Sequence, residues 1–118
     1  TTAIQAKLSQ DKDINWVITL GAPQALDTLK ALEGSGSKAK VGTFDTNPDL
    51  AQAVQDGKVQ WYIDQQPYLQ GYMAVTQLYL FKKNGNILGG GKAVLTGPSF
   101  VDSSNIAAVL PFVKNNTR

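Results

Sequence analysis

The sequence predicts an α/β fold, in which a parallel sheet is covered by helices on both faces. Helix-like and strand-like segments alternate through most of the 118 residues, and Gly or Pro residues separate them. Hydrophobic residues make up 42% of the chain and charged residues 17%, as in ordinary globular proteins. A chain of this length can bury one hydrophobic core, so a single α/β unit with right-handed crossovers is expected.

The strands are predicted from runs of apolar and β-branched residues, which are typical of buried strands in parallel sheets. Three strong candidates are Ile14–Leu20, Ala39–Phe44 and Lys58–Asp64. A fourth, weaker extended segment is predicted at Ala93–Thr96, after a connector that contains Gly89–Gly91. The expected sheet is therefore thin.

The helices are predicted where apolar residues recur every three or four positions. These segments are Thr2–Asp11, Pro23–Leu32, Pro48–Gly57, Pro67–Asn84 and a last one from about Ser103, which Pro111 disturbs. Units of α/β proteins normally open on a strand. Because this chain opens on a helix, we expect that a preceding strand is missing.

The composition excludes several classes of function. The chain has no Cys and no His, which excludes thiolate nucleophiles, structural zinc sites and Ser-His-Asp triads, so we predict no metal and no cofactor. The formal net charge is +2 and the basic residues are scattered, which predicts no nucleic-acid partner. No apolar run reaches the roughly 18 to 20 residues of a membrane span, so no membrane insertion is expected.

Polar residues stand directly after two of the predicted strands: Asp45 after the second and Gln65 after the third. Ligands of open parallel sheets bind beyond the carboxyl ends of the strands. A carboxylate accepts hydrogen bonds and a carboxamide both donates and accepts them, so the two together complement the hydroxyls of a polyol. The alternative is that Asp45 begins a capping turn for the next helix and that Gln65 satisfies loose backbone groups.

Other candidate sites are weaker. Asp45 and Asp64 could imitate a glycosidase pair, but that chemistry needs a cleft and a leaving-group acid that no sequence pattern reveals. Gly89–Gly91 lacks the surrounding motif of a phosphate loop and is predicted to be a flexible connector. Trp16 and Trp61 lie inside predicted strands and are expected to be core residues rather than platforms for sugar stacking.

Three segments, Val41–Asp45, Ala53–Lys58 and Asp64–Tyr72, in this order and spacing resemble the second lobe of periplasmic sugar-binding proteins of the ribose-binding type. The similarity extends upstream to Leu26–Leu32 and to the strand before it. It implies the flavodoxin-like fold of type 1 periplasmic binding proteins, of which this chain would hold an incomplete second lobe. Such proteins hold a monosaccharide between two lobes and deliver it to an ABC importer.

The resemblance also implies roles for individual residues. Asp45 corresponds to the strand-end aspartate that accepts hydrogen bonds from sugar hydroxyls, and Gln65 to the glutamine at the last hinge crossing, which also touches the sugar. The polar residue that the family carries after the first strand falls on Gly21, so that contact is absent here or is made by the backbone. The identity of the sugar therefore stays open.

The resemblance divides the chain between two lobes. Residues 1–65 would form part of the C-terminal lobe, and residues 66–96 would pack on the other lobe. Residues 97–118 would return to the C-terminal lobe. The helix with Tyr68 and Tyr72 would then expose an apolar patch. We expect a partner there, either the complementary N-terminal part of the same protein or a swapped copy.

Three functions remain open. The first is the sugar-binding component of an ABC importer, not an enzyme, which would meet an ABC permease and lie in the periplasm or outside the cell, with or without a lipid anchor. The second is the effector-binding domain of a lac-repressor-type transcription regulator, which would need a helix-turn-helix segment upstream. The third is an enzyme on a flavodoxin-like sheet, restricted to carboxylate or lysine chemistry.

Overall fold

The chain folds into five helices and four strands, and a computed structural model describes all 118 residues. In chain order these are α1 (Thr2–Gln10), β1 (Trp16–Ile18), α2 (Ala22–Ser35), β2 (Lys40–Phe44), α3 (Pro48–Gln55), β3 (Trp61–Asp64), α4 (Pro67–Asn84), a short 3-10 helix (Leu88–Gly91), β4 (Ser99–Asp102) and α5 (Ile106–Lys114). The predicted α/β class is confirmed.

The four strands form one mixed sheet in the order β1-β2-β3-β4. The first three are parallel, and β4 runs antiparallel along the edge of β3. The prediction of a strand at Ala93–Thr96 is wrong, because that segment has no regular structure and the strand follows it at Ser99–Asp102. Phe100 and Val101 pair there with β3, so the last strand enters the sheet from the opposite direction.

One face of the sheet is packed against α2, α3 and α5. Side chains alternate between the faces of a strand, and Val41, Tyr62 and Val101 point from three strands into this layer. The helices contribute small and branched apolar residues to the same buried cluster: Ala22, Ala25, Leu50, Ala51, Ala53, Val54, Ile106 and Val113. A second, smaller cluster of Leu8, Ala31 and Ala39 seats α1 against α2.

The opposite face of the sheet is uncovered, whereas the sequence predicts helices on both faces. Trp16 is 41% exposed and Phe100 is 49% exposed, so the prediction that Trp16 is a core residue is wrong for this chain. Trp61 lies between them, with ring centroids 6.4 Å from Trp16 and 5.5 Å from Phe100. The strand order β1-β2-β3 never reverses, and right-handed crossovers that progress in one direction place their helices on one side.

Helix α4 projects away from the sheet and buries none of its residues. Its apolar side chains are exposed around the whole helix: Tyr68, Leu69, Tyr72, Val75, Leu78, Tyr79, Leu80 and Phe81. The radius of gyration is 18.1 Å, compared with about 13 to 14 Å for a compact chain of this length. None of the five helices combines the length and the hydropathy that a bilayer crossing requires.

The exposed apolar surfaces predict how the 118-residue chain behaves when it is produced alone. We expect it to bind an apolar dye and to self-associate in size-exclusion chromatography, because bare apolar patches of this extent are rare on monomers. The full-length protein is the control and is expected to bind little dye. An isolated chain that elutes as a monomer without dye binding would contradict the expectation.

Tyr62 offers a separate test of the core. Its side chain is fully buried, and its hydroxyl makes no hydrogen bond of normal geometry although the side chain of Thr46 is nearby. Burial raises the pKa of that hydroxyl. In the full-length protein, Tyr62→Phe is expected to leave the free energy of unfolding unchanged or to raise it by up to about 1 kcal/mol, because an unsatisfied polar group is removed. Tyr62→Ala should instead lower it by about 3 to 5 kcal/mol through the cavity it leaves. Urea denaturation compares the two variants, and a large loss in the Phe variant would show that the hydroxyl has a partner.

Candidate functional site

The two residues predicted to bind a ligand lie together at the carboxyl edge of the sheet. Asp45 follows β2 directly and Gln65 follows β3 directly, and both are exposed. The Nε2 atom of Gln65 donates a hydrogen bond to Oδ1 of Asp45. The parallel pairing of β2 with β3 brings these positions side by side, as the sequence predicts.

Asp45 adopts an unusual backbone conformation with φ of 61°. This left-handed region is costly for most residues, but Asp and Asn enter it more readily than others. The amide of Asp45 still donates to the carbonyl of Ile63 at 2.9 Å, so the residue remains attached to β3 while its carboxylate stays exposed. The left-handed turn therefore ends β2 and presents the carboxylate at the sheet edge.

The alternative roles for Asp45 and Gln65 are not observed. Asn47 is the residue that caps α3, and its Oδ1 accepts a hydrogen bond from the amide of Leu50 at 2.8 Å. Loose backbone carbonyls near Gln65 are satisfied by Gln70, whose Nε2 donates to the carbonyl of Gln65 at 2.7 Å. The side chains of Asp45 and Gln65 thus interact with each other rather than with the backbone.

Two chain crossovers run side by side next to this pair. The first leads from β3 through Gln66 into α4, and the second returns through Thr96 and Gly97 to β4. The Nε2 atom of Gln66 donates to the carbonyl of Thr96, and Oγ1 of Thr96 donates to the carbonyl of Gln65 at 3.3 Å. A Cβ at Gly97 would come within 3.3 Å of the carbonyl oxygen of Asp64, which leaves little room for a side chain.

The Asp64 carboxylate is fully buried and is not available for a catalytic pair with Asp45. Its Oδ1 accepts from the amide of Gln66 at 2.7 Å, and its Oδ2 accepts from Nε of Arg118 at 2.6 Å. Arg118 also donates from Nη2 to Oγ of Ser99 at 2.7 Å. The structure therefore gives the glycosidase hypothesis no second exposed carboxylate at this position. No sequence motif indicated the role of Arg118.

A buried pair of threonines supports the edge beneath the site. Thr19 lies after β1 and Thr43 in β2, and their hydroxyl oxygens are 2.7 Å apart in a hydrogen bond. The carbonyl oxygen of Gly21 lies 3.3 Å from Oγ1 of Thr19. Gly21 precedes α2 as its cap and contributes no side chain to the edge. No group of three or more acidic residues assembles into a metal-binding arrangement.

A cavity of about 500 Å³ adjoins Gln65 and opens to solvent. Its volume lies within the range of about 300 to 1,000 Å³ that is usual for small-molecule sites. The lining is mainly apolar with a few polar groups: Phe44, Ile63, Gln65, Gln70, Val94, Leu95, Thr96, Gly97 and Pro98. The polar pair thus stands at the border of an apolar recess formed by the sheet and the second crossover.

A model of the periplasmic binding protein domain matches residues 1–86 of the chain, which is most of its length. The chain belongs to the periplasmic binding protein family. The resemblance seen in the sequence is therefore confirmed, and so is the fold that it implies.

Solved structures of this family match the chain over nearly all its residues. A carbohydrate transporter from Acidothermus cellulolyticus 11B, crystallised in complex with myo-inositol, is 52% identical with a TM-score of 0.92, and the match covers 99% of this chain and 41% of that one. The Caulobacter myo-inositol binding protein bound to myo-inositol is 25% identical with a TM-score of 0.78, over 97% and 39% of the two chains.

A further relative is the xylose/arabinose-binding protein XylF of Sulfolobus acidocaldarius. It is 27% identical over an alignment of 116 positions, and the match covers 92% of this chain and 29% of the relative. The chain thus spans less than half the length of each of these three proteins.

The left-handed backbone of Asp45 leads to a prediction about stability. In the full-length protein, Asp45→Asn and Asp45→Gly are expected to change the free energy of unfolding by no more than about 0.5 kcal/mol, because both residues tolerate positive φ. Asp45→Ala should lower it by about 1 to 2 kcal/mol, the cost of a Cβ in the left-handed region. Asp13→Ala replaces an exposed aspartate outside that region and serves as the control in urea denaturation. Equal stability of the Ala and Gly variants at position 45 would contradict the expectation.

Proposed function

We propose that the protein containing this chain is the solute-binding component of an ABC importer and holds a small polyhydroxy ligand between two lobes. The observation that carries the proposal is the pairing of Asp45 with Gln65 at the carboxyl edge of the sheet, beside the two crossovers. The family membership and the 52% identical carbohydrate transporter with bound myo-inositol support it. We expect a monosaccharide or a cyclitol such as myo-inositol as the ligand.

The chemistry of the pair suits adjacent hydroxyls. Gln65 uses one N–H on Asp45, so its other N–H and its carbonyl oxygen are free to contact a ligand, as is Oδ2 of Asp45. Oδ2 of Asp45 can accept a hydrogen bond from one ligand hydroxyl, while the amide of Gln65 donates a hydrogen bond to the oxygen of the adjacent hydroxyl. The apolar recess beside Gln65 suits the C–H surface of a polyol ring, for which no polar partner is needed.

The division into lobes follows the same proposal. Residues 1–65 and 97–118 are assigned to one lobe, and residues 66–96 to a segment that packs on the other. Helix α4 supports this assignment because it lies at a distance from the core and exposes apolar side chains on all sides. The complementary N-terminal part of the full-length protein is the expected partner of α4, and a swapped copy is the alternative.

The lobes act by closing around the ligand. A ligand favours the closed state only by as much as it binds that state better than the open one. Asp45 and Gln65 lie on one lobe next to the crossovers, so contacts from the other lobe would complete the site on closure. The closed form would then be recognised by an ABC permease, in the periplasm or outside the cell.

Calorimetry on the full-length protein tests the ligand contacts. A thermal-shift panel of myo-inositol, xylose, arabinose and ribose first identifies the ligand, because binding to the native state raises the melting temperature. Asp45→Asn and Gln65→Ala should then each weaken binding by about 5- to 150-fold, the equivalent of about 1 to 3 kcal/mol for a buried hydrogen-bonding group left without its partner. Asn is used at position 45 because it keeps the left-handed backbone accessible.

Asp49→Asn is the matched control for this experiment. It makes the same change of charge on an exposed carboxylate in the first turn of α3, which has no hydrogen bond to Gln65, and it should leave affinity unchanged. Wild-type affinity in both site variants would refute the assignment of Asp45 and Gln65. Absence of binding to every polyol tested would refute the ligand class itself.

A further inference from the structure

Arg118 contacts both the residue at which the chain leaves the sheet and the residue at which it returns to the sheet. Asp64, its partner through Nε, is the last residue of β3 before the chain leaves the sheet. Ser99, its partner through Nη2, is the first residue of β4 after the chain returns. Asp64 and Ser99 are also opposite each other in the antiparallel pairing of these strands. Arg118 therefore connects the point at which the chain leaves the sheet with the point at which it returns.

The contact of Arg118 with Asp64 and Ser99 is rigid for two reasons. The Asp64 carboxylate is fully buried, and a buried charge without a partner is strongly unfavourable, so the ion pair cannot open without cost. The side chain of Arg118 is only 25% exposed, and its guanidinium group uses two different nitrogen atoms for its two partners. A planar fork of fixed geometry fixes the distance between the groups that it binds, which a single ammonium cannot do.

The Asp64 carboxylate is connected to the proposed binding site through the backbone of Gln66. Oδ1 of Asp64 accepts from the amide of Gln66, a residue in the left-handed conformation with φ of 57°. Gln65 lies between Asp64 and Gln66 in the chain, so both of its neighbours are restrained. The position of the Gln65 amide over Asp45 thus depends on how Asp64 is anchored.

We propose that Arg118 is a positioning residue for ligand binding: through Asp64 and Ser99 it holds the two crossovers in register and keeps Gln65 over Asp45. The ligand-binding part of this inference rests on the proposed function. Arg118 lies on the covered side of the sheet with Asp64 and contacts the ligand site only through other residues. Substitution of Arg118 is therefore expected to change the geometry of the crossovers and the affinity for the ligand, in addition to any effect on the stability of the fold.

Two conservative variants of the full-length protein test the proposal. Arg118→Lys keeps the positive charge but cannot bind Asp64 and Ser99 with two separate nitrogens, and Ser99→Ala removes only one acceptor. Each is expected to weaken binding of myo-inositol about tenfold in calorimetry, within the range of coupling seen for residues of one contact network. Lys114→Gln is the control and should leave affinity unchanged, because the only hydrogen bond of the Lys114 side chain goes to Oε1 of the half-buried Gln52 at 3.1 Å.

A second measurement reports hinge geometry without any ligand. Spin labels on Lys38→Cys and Lys82→Cys place one probe on each side of the crossovers, at positions that are exposed in this chain. The 118 residues contain no other cysteine, and any cysteine elsewhere in the full-length protein is first replaced by serine. The contact of Arg118 with Asp64 and Ser99 is called the clamp below. The distance distribution between the labels should be broader in Ser99→Ala and Arg118→Lys, which weaken the clamp, than in the wild type. A residue that only stabilises the fold would lower the melting temperature and leave the distribution and the affinity as they were.

Each outcome decides the proposal. Wild-type affinity and a wild-type distance distribution in Ser99→Ala and Arg118→Lys overturn it, and so does a broadened distribution without loss of affinity. If Arg118→Lys fails to fold, Ser99→Ala alone decides. If the wild-type protein binds no polyol, the proposed function fails, whereas the distance distribution still shows whether the clamp holds the crossovers.

Discussion

The burial of a single carboxylate, that of Asp64, is the constraint on which the rest of this structure depends. It stands where the chain leaves the sheet, and its two oxygens hold the amide of Gln66 and the guanidinium of Arg118. Because a buried charge must be fully paired, the first crossover and Arg118 are held at one point, and Arg118 in turn holds Ser99 at the start of the return strand. The exposed pair of Asp45 and Gln65 lies directly beside this anchor and receives its geometry from it.

The distribution of apolar surface follows from a second constraint, the order of the strands. A sheet that progresses from β1 to β3 without reversal collects its crossover helices on one face, and the buried cluster is confined to that side. The aromatic rings of Trp16, Trp61 and Phe100 remain on the other face, and α4 extends away from both. Two apolar surfaces of this chain thus remain exposed, and the chain spans 41% of the carbohydrate transporter from Acidothermus cellulolyticus 11B that it matches.

The candidate site was largely predictable, for a local reason. Strand ends are visible in the sequence as the point where an apolar run meets polar residues, and parallel strands align these ends, so the meeting of Asp45 with Gln65 could be expected. The fourth strand was misplaced by a few residues because both Ala93–Thr96 and Ser99–Asp102 contain apolar residues, and the first segment contains more of them. Only pairing with an available edge of β3 distinguishes them, and that edge is a property of the assembled sheet.

The sequence by itself determined the alternation of helices and strands, the family and the two polar residues at the strand ends, because each of these depends on neighbours within a few positions in the chain. The tertiary structure alone decided which face of the sheet is covered, the direction of the last strand and the partnership of Arg118 with Asp64. Those two residues are 54 positions apart in the chain. Contacts over such distances form only when the strands between them have been ordered, and no local pattern encodes which distant charge a buried carboxylate will meet.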